Sequence, residues 1–213
     1  MNIRDHQLYK IWNKVPVDYY QTGTKSNILQ MAWHHLKINS AKKILKGHQF
    51  SKILDAGCAS GFMLFKIYQA FPNAKYFGID VYSKAISYAK KTYPDITFKT
   101  AFAHNLPFTN DYFDVILFYE TIEHVEDPIK TLKELKRVLK KGGILILAMD
   151  SGNWLFRFVW FVWENTKGKI WQEAHLHPFH YTELEEVIKK AKFKIEKKFF
   201  THLGMEITFV LKK

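Results

Sequence analysis

The sequence predicts a doubly wound α/β domain, a mostly parallel sheet with helices on both faces. Three observations predict it. Between residues 52 and 149, short apolar runs of strand length alternate with longer segments of helical period. Those runs are apolar nearly throughout, as strands covered on both faces must be, and Phe113 to Tyr119 is the clearest case. The chain has 213 residues, 47% of them hydrophobic, which suffices for one core, and no Pro/Gly/Ser linker divides it.

The elements follow in order. Residues 1–50 read as helices laid over the core as a cap. Lys52 to Ala56 reads as a buried strand ending at Gly57, and Phe62 to Phe71 as a helix stopped by Pro72-Asn73. Lys75 to Ile79 is a strand ending at Asp80. Ser83 to Thr92 is a helix stopped before Pro94, and Ile96 to Thr100 is a third strand. Phe113 to Tyr119 is the fourth. Pro128 suits the first turn of a helix that presents Ile129, Leu132, Leu135, Val138 and Leu139 on one face. Lys140-Lys141-Gly142-Gly143 reads as that helix's stop, and Ile144 to Met149 as the fifth strand. Residues 151–181 read as an insertion. Thr182 with Glu185 reads as a capping box for a helix running to about Ala191. Phe193 to Phe200 and Glu206 to Leu211, turning at Gly204, close the chain as a hairpin, so the last strand is antiparallel.

Composition narrows the function classes. Aromatic residues make up 16% of the chain, too many for a disordered one. A single cysteine, Cys58, excludes an intramolecular disulfide and a thiolate-clustered zinc site. It fits a reducing cytoplasm. The longest apolar run, Trp154 to Trp163, is broken by Arg157 and falls short of the ~20 residues of a spanning helix. The expected location is therefore cytoplasmic or peripheral to a membrane. The net charge is +12, and residues 51–150 contribute only +2 of it, so the two ends carry the excess. Arg4, Arg137 and Arg157 are the only arginines among 32 basic residues. Lysine makes point contacts rather than the forks that read bases, so nucleic acid is the less favoured partner and an anionic lipid surface stays open.

The chemistry concentrates in the first strand-to-helix loop, Asp55-Ala56-Gly57-Cys58-Ala59-Ser60-Gly61. Gly57 and Gly61 allow close backbone approach to a ligand, and a helix N-terminus lies behind them. Asp80, at the end of the second strand, can accept both hydroxyls of a ribose. The glycines are spaced G-x-x-x-G, without the second glycine that passes a pyrophosphate, and Asp55 adds negative charge to the loop. A cationic sulfonium with an amino group suits such a loop better than a pyrophosphate does.

Six motifs then stand in order: Ile53 to Gly61; Gly78-Ile79-Asp80; Asn105-Leu106-Pro107-Phe108; Phe113-Asp114-Val115-Ile116; Glu123-His124-Val125 with Asp127-Pro128; and Val138 to Gly143. Together they resemble a class I S-adenosylmethionine-dependent methyltransferase of the small-molecule, ubiquinone-biosynthesis-like type. The resemblance is close over residues 50–150. It is looser to the end, where Phe179-His180-Tyr181-Thr182-Glu183-Leu184 resembles the family's lead into its last helix. It implies one domain over residues 1–213 with a Rossmann-like sheet of order 3-2-1-4-5-7-6. The divisions would be a cap at 1–50, a cofactor core at 51–150, a substrate-side insertion at 151–181 and a closing helix and hairpin at 182–213. It implies S-adenosyl-L-methionine as cofactor. Asp55, Gly57, Cys58 and Gly61 would hold the methionine part, Asp80 the ribose, and Val81 and Ala103 the adenine. Tyr119 and Glu120 would flank the methionine end. Two positions depart from the family pattern, with Ala59 in place of a glycine and Phe102 in place of an adenine-binding aspartate.

Methyl transfer mainly needs alignment of donor and acceptor and exclusion of water, with a base only where the acceptor loses a proton. The base candidates are Glu123, His124 and His175, with His177 and His180 beside them. His124 also reads as a packing or capping residue. The spacing of His175, His177 and His180 is not that of a standard metal site, so no metal is expected. No Asn/Asp-Pro-Pro-aromatic run follows the fourth strand, which argues against amino methylation of adenine or glutamine. The segment from Trp154 to Trp163 reads as a helix buried under the cap, or alternatively as a lid or greasy mouth for a lipid-like substrate. Asp18, Tyr19 and Tyr20 could join it from the cap. A small-molecule or lipid-like acceptor is the expected substrate, with an RNA methyltransferase and a non-catalytic cofactor-binding member as the alternatives.

Overall fold

The computed structural model describes Trp12, residues 14–165 and residues 176–213. Among the described residues, the helices α1 (Tyr19–Ser26) and α2 (Ile28–Leu45) precede the sheet. The Asn27 side chain starts α2 by accepting from the N–H groups of Leu29 and Gln30, as a helix cap should. There follow β1 (Lys52–Ala56), α3 (Phe62–Ala70), β2 (Lys75–Asp80), α4 (Ser83–Thr92), β3 (Thr97–Thr100), β4 (Phe113–Tyr119), α5 (Pro128–Val138), β5 (Leu139–Asp150), α6 (Trp154–Glu164), α7 (Tyr181–Lys190), β6 (Lys194–Thr201) and β7 (Glu206–Lys212).

The seven strands form one sheet in the order β3-β2-β1-β4-β5-β7-β6. Strands β1 to β5 run parallel, and β7 is antiparallel to both neighbours. This is the predicted doubly wound sheet with its reversed last strand. Each face carries its own core. Leu54, Phe113, Ile116, Leu132, Leu135 and Phe209 lie on one side. Ile53, Leu64, Tyr76, Ile86, Val115 and Ile146 lie on the other, beneath α2, α3 and α4. Neighbouring residues of β1 and β4 thus pack on opposite faces, which is why these strands are apolar throughout. No helix among the described residues is long and apolar enough to cross a membrane.

Four local expectations are corrected. Helix α5 ends at Val138, and Lys140 to Gly143 belong to a long β5 instead of a helix stop. Leu139 already pairs with Phe113, and an irregularity in the ladder absorbs the two glycines. The capping box of α7 is formed by Glu183, whose carboxylate accepts from the His180 N–H at 2.8 Å, not by Thr182 and Glu185. The β6–β7 turn holds not only Gly204 but also His202 and Leu203 in the left-handed region, at φ 52° and 57°. Finally, α6 is not a buried helix. Trp154 is 80% exposed, Phe158 64% and Phe161 65%, and no residue of α6 belongs to either core cluster.

Candidate active site

The site lies where parallel strands β1, β2 and β4 end and the strand order reverses, the position at which such sheets bind ligands. A crevice of about 280 Å³ opens there. Its floor is the loop from Asp55 to Ala59, and its sides are Ile79 to Tyr82, Ala101 to His104 and Tyr119 to Thr121.

The loop is held by its own backbone. The N–H groups of Gly57 and Cys58 both donate to the Ile79 carbonyl, at 2.8 and 2.9 Å. Gly57 stands at φ 81° and Gly61 at φ 76°, both left-handed. A Cβ on Gly57 would lie 2.2 Å from the Thr121 hydroxyl, and one on Gly61 would lie 2.6 Å from the Phe98 ring. The glycines therefore admit neighbouring side chains, and Gly61 does not line the crevice. Ala59 stands at φ 45°, so an alanine occupies a conformation that costs side-chain-bearing residues energy.

Asp80 binds the two walls together. Its Oδ2 accepts from the Ala59 N–H and its Oδ1 from the Tyr82 N–H, each at 2.8 Å. Asp80 lines the crevice, and a carboxylate has about four acceptor positions, so these two bonds leave capacity for ligand hydroxyls. Burial raises the Asp80 pKa, and those backbone N–H groups oppose the rise. Asp55 is pushed to about 7, first by burial and then by Asp80. Val81 and Phe102 are exposed apolar residues of the crevice wall, Ala103 is buried beside them, and Phe102 stacks on His104. The Cys58 thiol is buried and its pKa raised, first by burial, so the sulfur stays protonated and unreactive.

The far end of the crevice is built partly by the cap. Glu120, just past β4, is ion-paired with Lys37 of α2, and its Oε1 accepts from the Trp33 indole at 3.4 Å. Burial alone would raise the Glu120 pKa, but the Lys37 ammonium reverses that and keeps it ionised. Lys37 is 3% exposed and also lies 3.7 Å from Glu206, at the start of β7. Trp12, Tyr20, His34 and His124 line this end. Tyr20 and His34 meet edge to face at 5.2 Å, as do Trp12 and His124 at 5.4 Å. Burial, then Lys37, lowers His34 to about 4, so its imidazole is neutral.

The structure thus gathers Asp55, Gly57, Cys58, Ala59, Asp80, Val81, Phe102, Ala103, Tyr119, Glu120 and His124 around one crevice. Glu123 is 4% exposed and is not among the lining residues; burial, foremost, pushes it to about 8. His175 lies outside the described residues. His177 reaches back to the loop after β4, its Nε2 3.3 Å from the Glu126 carbonyl, whereas His180 stays local, its Nδ1 2.8 Å from the Thr182 hydroxyl; neither lines the crevice. Sequence reasoning missed Trp12, His34 and Lys37. Lys37 carried no signal, since a lysine among helical residues reads as a solvated face.

The fold and the crevice together define a nucleoside-binding α/β enzyme class whose cofactor carries a cation. Comparison with known proteins gives the family. The family model of a methyltransferase domain matches residues 48–177, and the chain belongs to that family, as a class I S-adenosylmethionine-dependent methyltransferase. A demethylmenaquinone methyltransferase of Chlorobaculum parvum is 32% identical over 111 residues, 52% of this chain and 46% of that protein. A malonyl-[acyl-carrier protein] O-methyltransferase of Bacillus cytotoxicus is 28% identical over 171 residues, 79% of this chain and 58% of that protein. The chain spans about half the length of these curated relatives. A SAM-dependent methyltransferase structure from Methanosarcina mazei superposes with a TM-score of 0.63 at 24% identity, covering 80% of this chain and 96% of that one. The cofactor of this class is S-adenosyl-L-methionine. The site fits it: Asp80 offers two acceptors, and the ionised Glu120 lies at the other end of the crevice.

Proposed function

We propose that the chain transfers the methyl group of S-adenosyl-L-methionine to a small-molecule or lipid-like acceptor bound between the cap and the end of β4. One observation carries the reading. The crevice that holds Asp80 runs without interruption into an end lined by Trp12, Tyr20, His34 and His124. Aromatic walls of that kind suit a flat organic acceptor. The names of the relatives, a quinone-precursor methyltransferase and a malonyl-carrier methyltransferase, agree with a small acceptor group. Asp55, Asp80 and Glu120 make the crevice acidic, which supports a cationic cofactor and disfavours a phosphate backbone.

When bound, the cofactor supplies a methyl carbon made electrophilic by a sulfonium, and the departing group is a neutral thioether. The protein's part is placement. Asp80 would hold the ribose, Val81 and Phe102 would enclose the adenine, and the backbone from Gly57 to Ala59 would bear on the methionine part. Phe102 gives ring contact in place of a hydrogen bond to the adenine amino group. Glu120, kept ionised by Lys37, would favour positive charge at the methionine end. Where the acceptor loses a proton, His124 is the base candidate that touches the crevice.

Calorimetric titration with S-adenosylhomocysteine tests the reading. Micromolar binding is expected, and Asp80→Ala should weaken it by about 1–3 kcal/mol, the cost of unpaired ribose hydroxyls. No binding at millimolar ligand, or an unchanged affinity in the variant, would remove Asp80 and the crevice from the cofactor site.

A further inference from the structure

The large apolar side chains left exposed by this fold are not scattered. Among the described residues seven, Ile28, Leu29, Leu36, Trp154, Phe158, Phe161 and Leu203, are between 52% and 89% exposed. Trp154, Phe158 and Phe161 fall at i, i+4 and i+7, one face of α6. Leu29 and Leu36 fall four residues before and three after Trp33, on one stripe of α2.

Contacts join these stripes. The Trp33 ring packs on the His202 ring at 4.0 Å, and His202 precedes Leu203 in the β6–β7 turn. Asn153, the cap residue of α6, donates its side-chain amide to the Gly204 carbonyl at 2.7 Å. Trp154, Phe200 and Gly204 then line one shallow depression. The same surface reaches the crevice, because the Trp33 indole donates to Glu120 at the acceptor end. Leu203 is the telling residue. It is held at φ 57°, a costly conformation for leucine, and is 89% exposed, so no packing in the chain offsets the strain.

We infer that this face seats on an anionic lipid bilayer and delivers a lipid-like acceptor from it to the Glu120 end of the crevice. Protruding, separate aromatic and leucine side chains suit a fluid partner better than a complementary protein groove. Charge points the same way. Between Trp154 and Trp163 the only charged residue is Arg157, and the whole chain carries +12, almost all of it lysine. Such a chain is drawn to anionic headgroups while its aromatic side chains enter the interface. The delivery half of the inference rests on the acceptor reading above; the seating half does not.

The test is co-sedimentation of the full chain with vesicles of phosphatidylglycerol and phosphatidylcholine in equal parts, against vesicles of phosphatidylcholine alone. Binding to the anionic vesicles is expected, at least about tenfold stronger than to the neutral ones. The triple variant Trp154→Ser/Phe158→Ser/Phe161→Ser should lose about tenfold or more of it. Leu203→Ser, a change at an exposed turn, should lose severalfold and gives a second handle independent of α6. S-adenosylhomocysteine affinity, measured on the same samples, should not change, which separates a lost surface from a lost fold. Absent binding to anionic vesicles, or equal binding by both variants and the parent, overturns the inference. So does a concentration-dependent dimer that the triple variant disperses without any vesicle binding. A chain that binds vesicles but not S-adenosylhomocysteine would leave the seating intact and sink the methyl-transfer reading instead.

Discussion

Ala59 and Asp80 show how much one residue decides in this site. The Asp80 carboxylate both joins the loop to β2 and faces the crevice, so it serves structure and ligand at once. Ala59, whose N–H it receives, stands at φ 45°. An L-residue there carries roughly 1–2 kcal/mol of strain, while glycine loses about 0.4–1 kcal/mol through its freer unfolded chain. Ala59→Gly should therefore raise stability by roughly 0.5–1 kcal/mol in urea unfolding. A loss of stability would show that the methyl group packs usefully. Asp55, Gly57, Ala59 and Asp80 were all legible in the sequence: the first three share one strand-to-helix turn, and Asp80 ends the next strand, which pairs in parallel with the first. The reason for the glycines was not legible: the space they leave is filled by Thr121 and Phe98, and only the fold sets those neighbours there.

Helix α2 is the element that completes the site. It buries Ile38, Ala41 and Leu45 against the core. It also buries Lys37 between Glu120 and Glu206, from the ends of β4 and β7. Lys37→Met would leave the buried Glu206 and the half-buried Glu120 without their cation and should cost about 3–5 kcal/mol. Adding Glu120→Gln should restore part of the loss, a coupling that a double-mutant cycle in urea would measure. Additive effects would mean that Lys37 acts by packing alone. Helix α6 contrasts with α2. Its composition suggested burial, yet none of its described residues is buried, and Trp154, Phe158 and Phe161 are exposed.

The whole molecule divides its charge. The chain carries +12 overall, while several of its carboxyl groups are enclosed. Asp55, Glu123 and Asp150 all have raised pKa values, with burial the largest cause for each. Glu123 moves from an ordinary 4.5 to about 8. Between those values the folded chain binds more protons than the unfolded chain, so this contribution to stability is complete below 4.5 and is lost as pH rises through about 8. Stability should fall across that window, by on the order of 2–4 kcal/mol for a buried carboxyl group. Glu123→Gln should flatten the decline in urea unfolding at pH 5 and pH 8. An equal slope in the variant would place the proton uptake elsewhere.

The sequence by itself determined the sheet, its last reversed strand, and the cofactor half of the crevice. Those features rest on periodicity and on motifs whose residues lie within a few positions of one another, where local backbone geometry governs. The tertiary structure alone decided what encloses the Glu120 end of the crevice. Lys37, Glu120 and Glu206 come from three distant segments, and whether a lysine is solvated or enclosed depends on what the rest of the chain places over it. The same holds for the helix from Trp154 to Glu164: apolar composition states a preference for leaving water, but only the fold shows that it stays outside both core clusters.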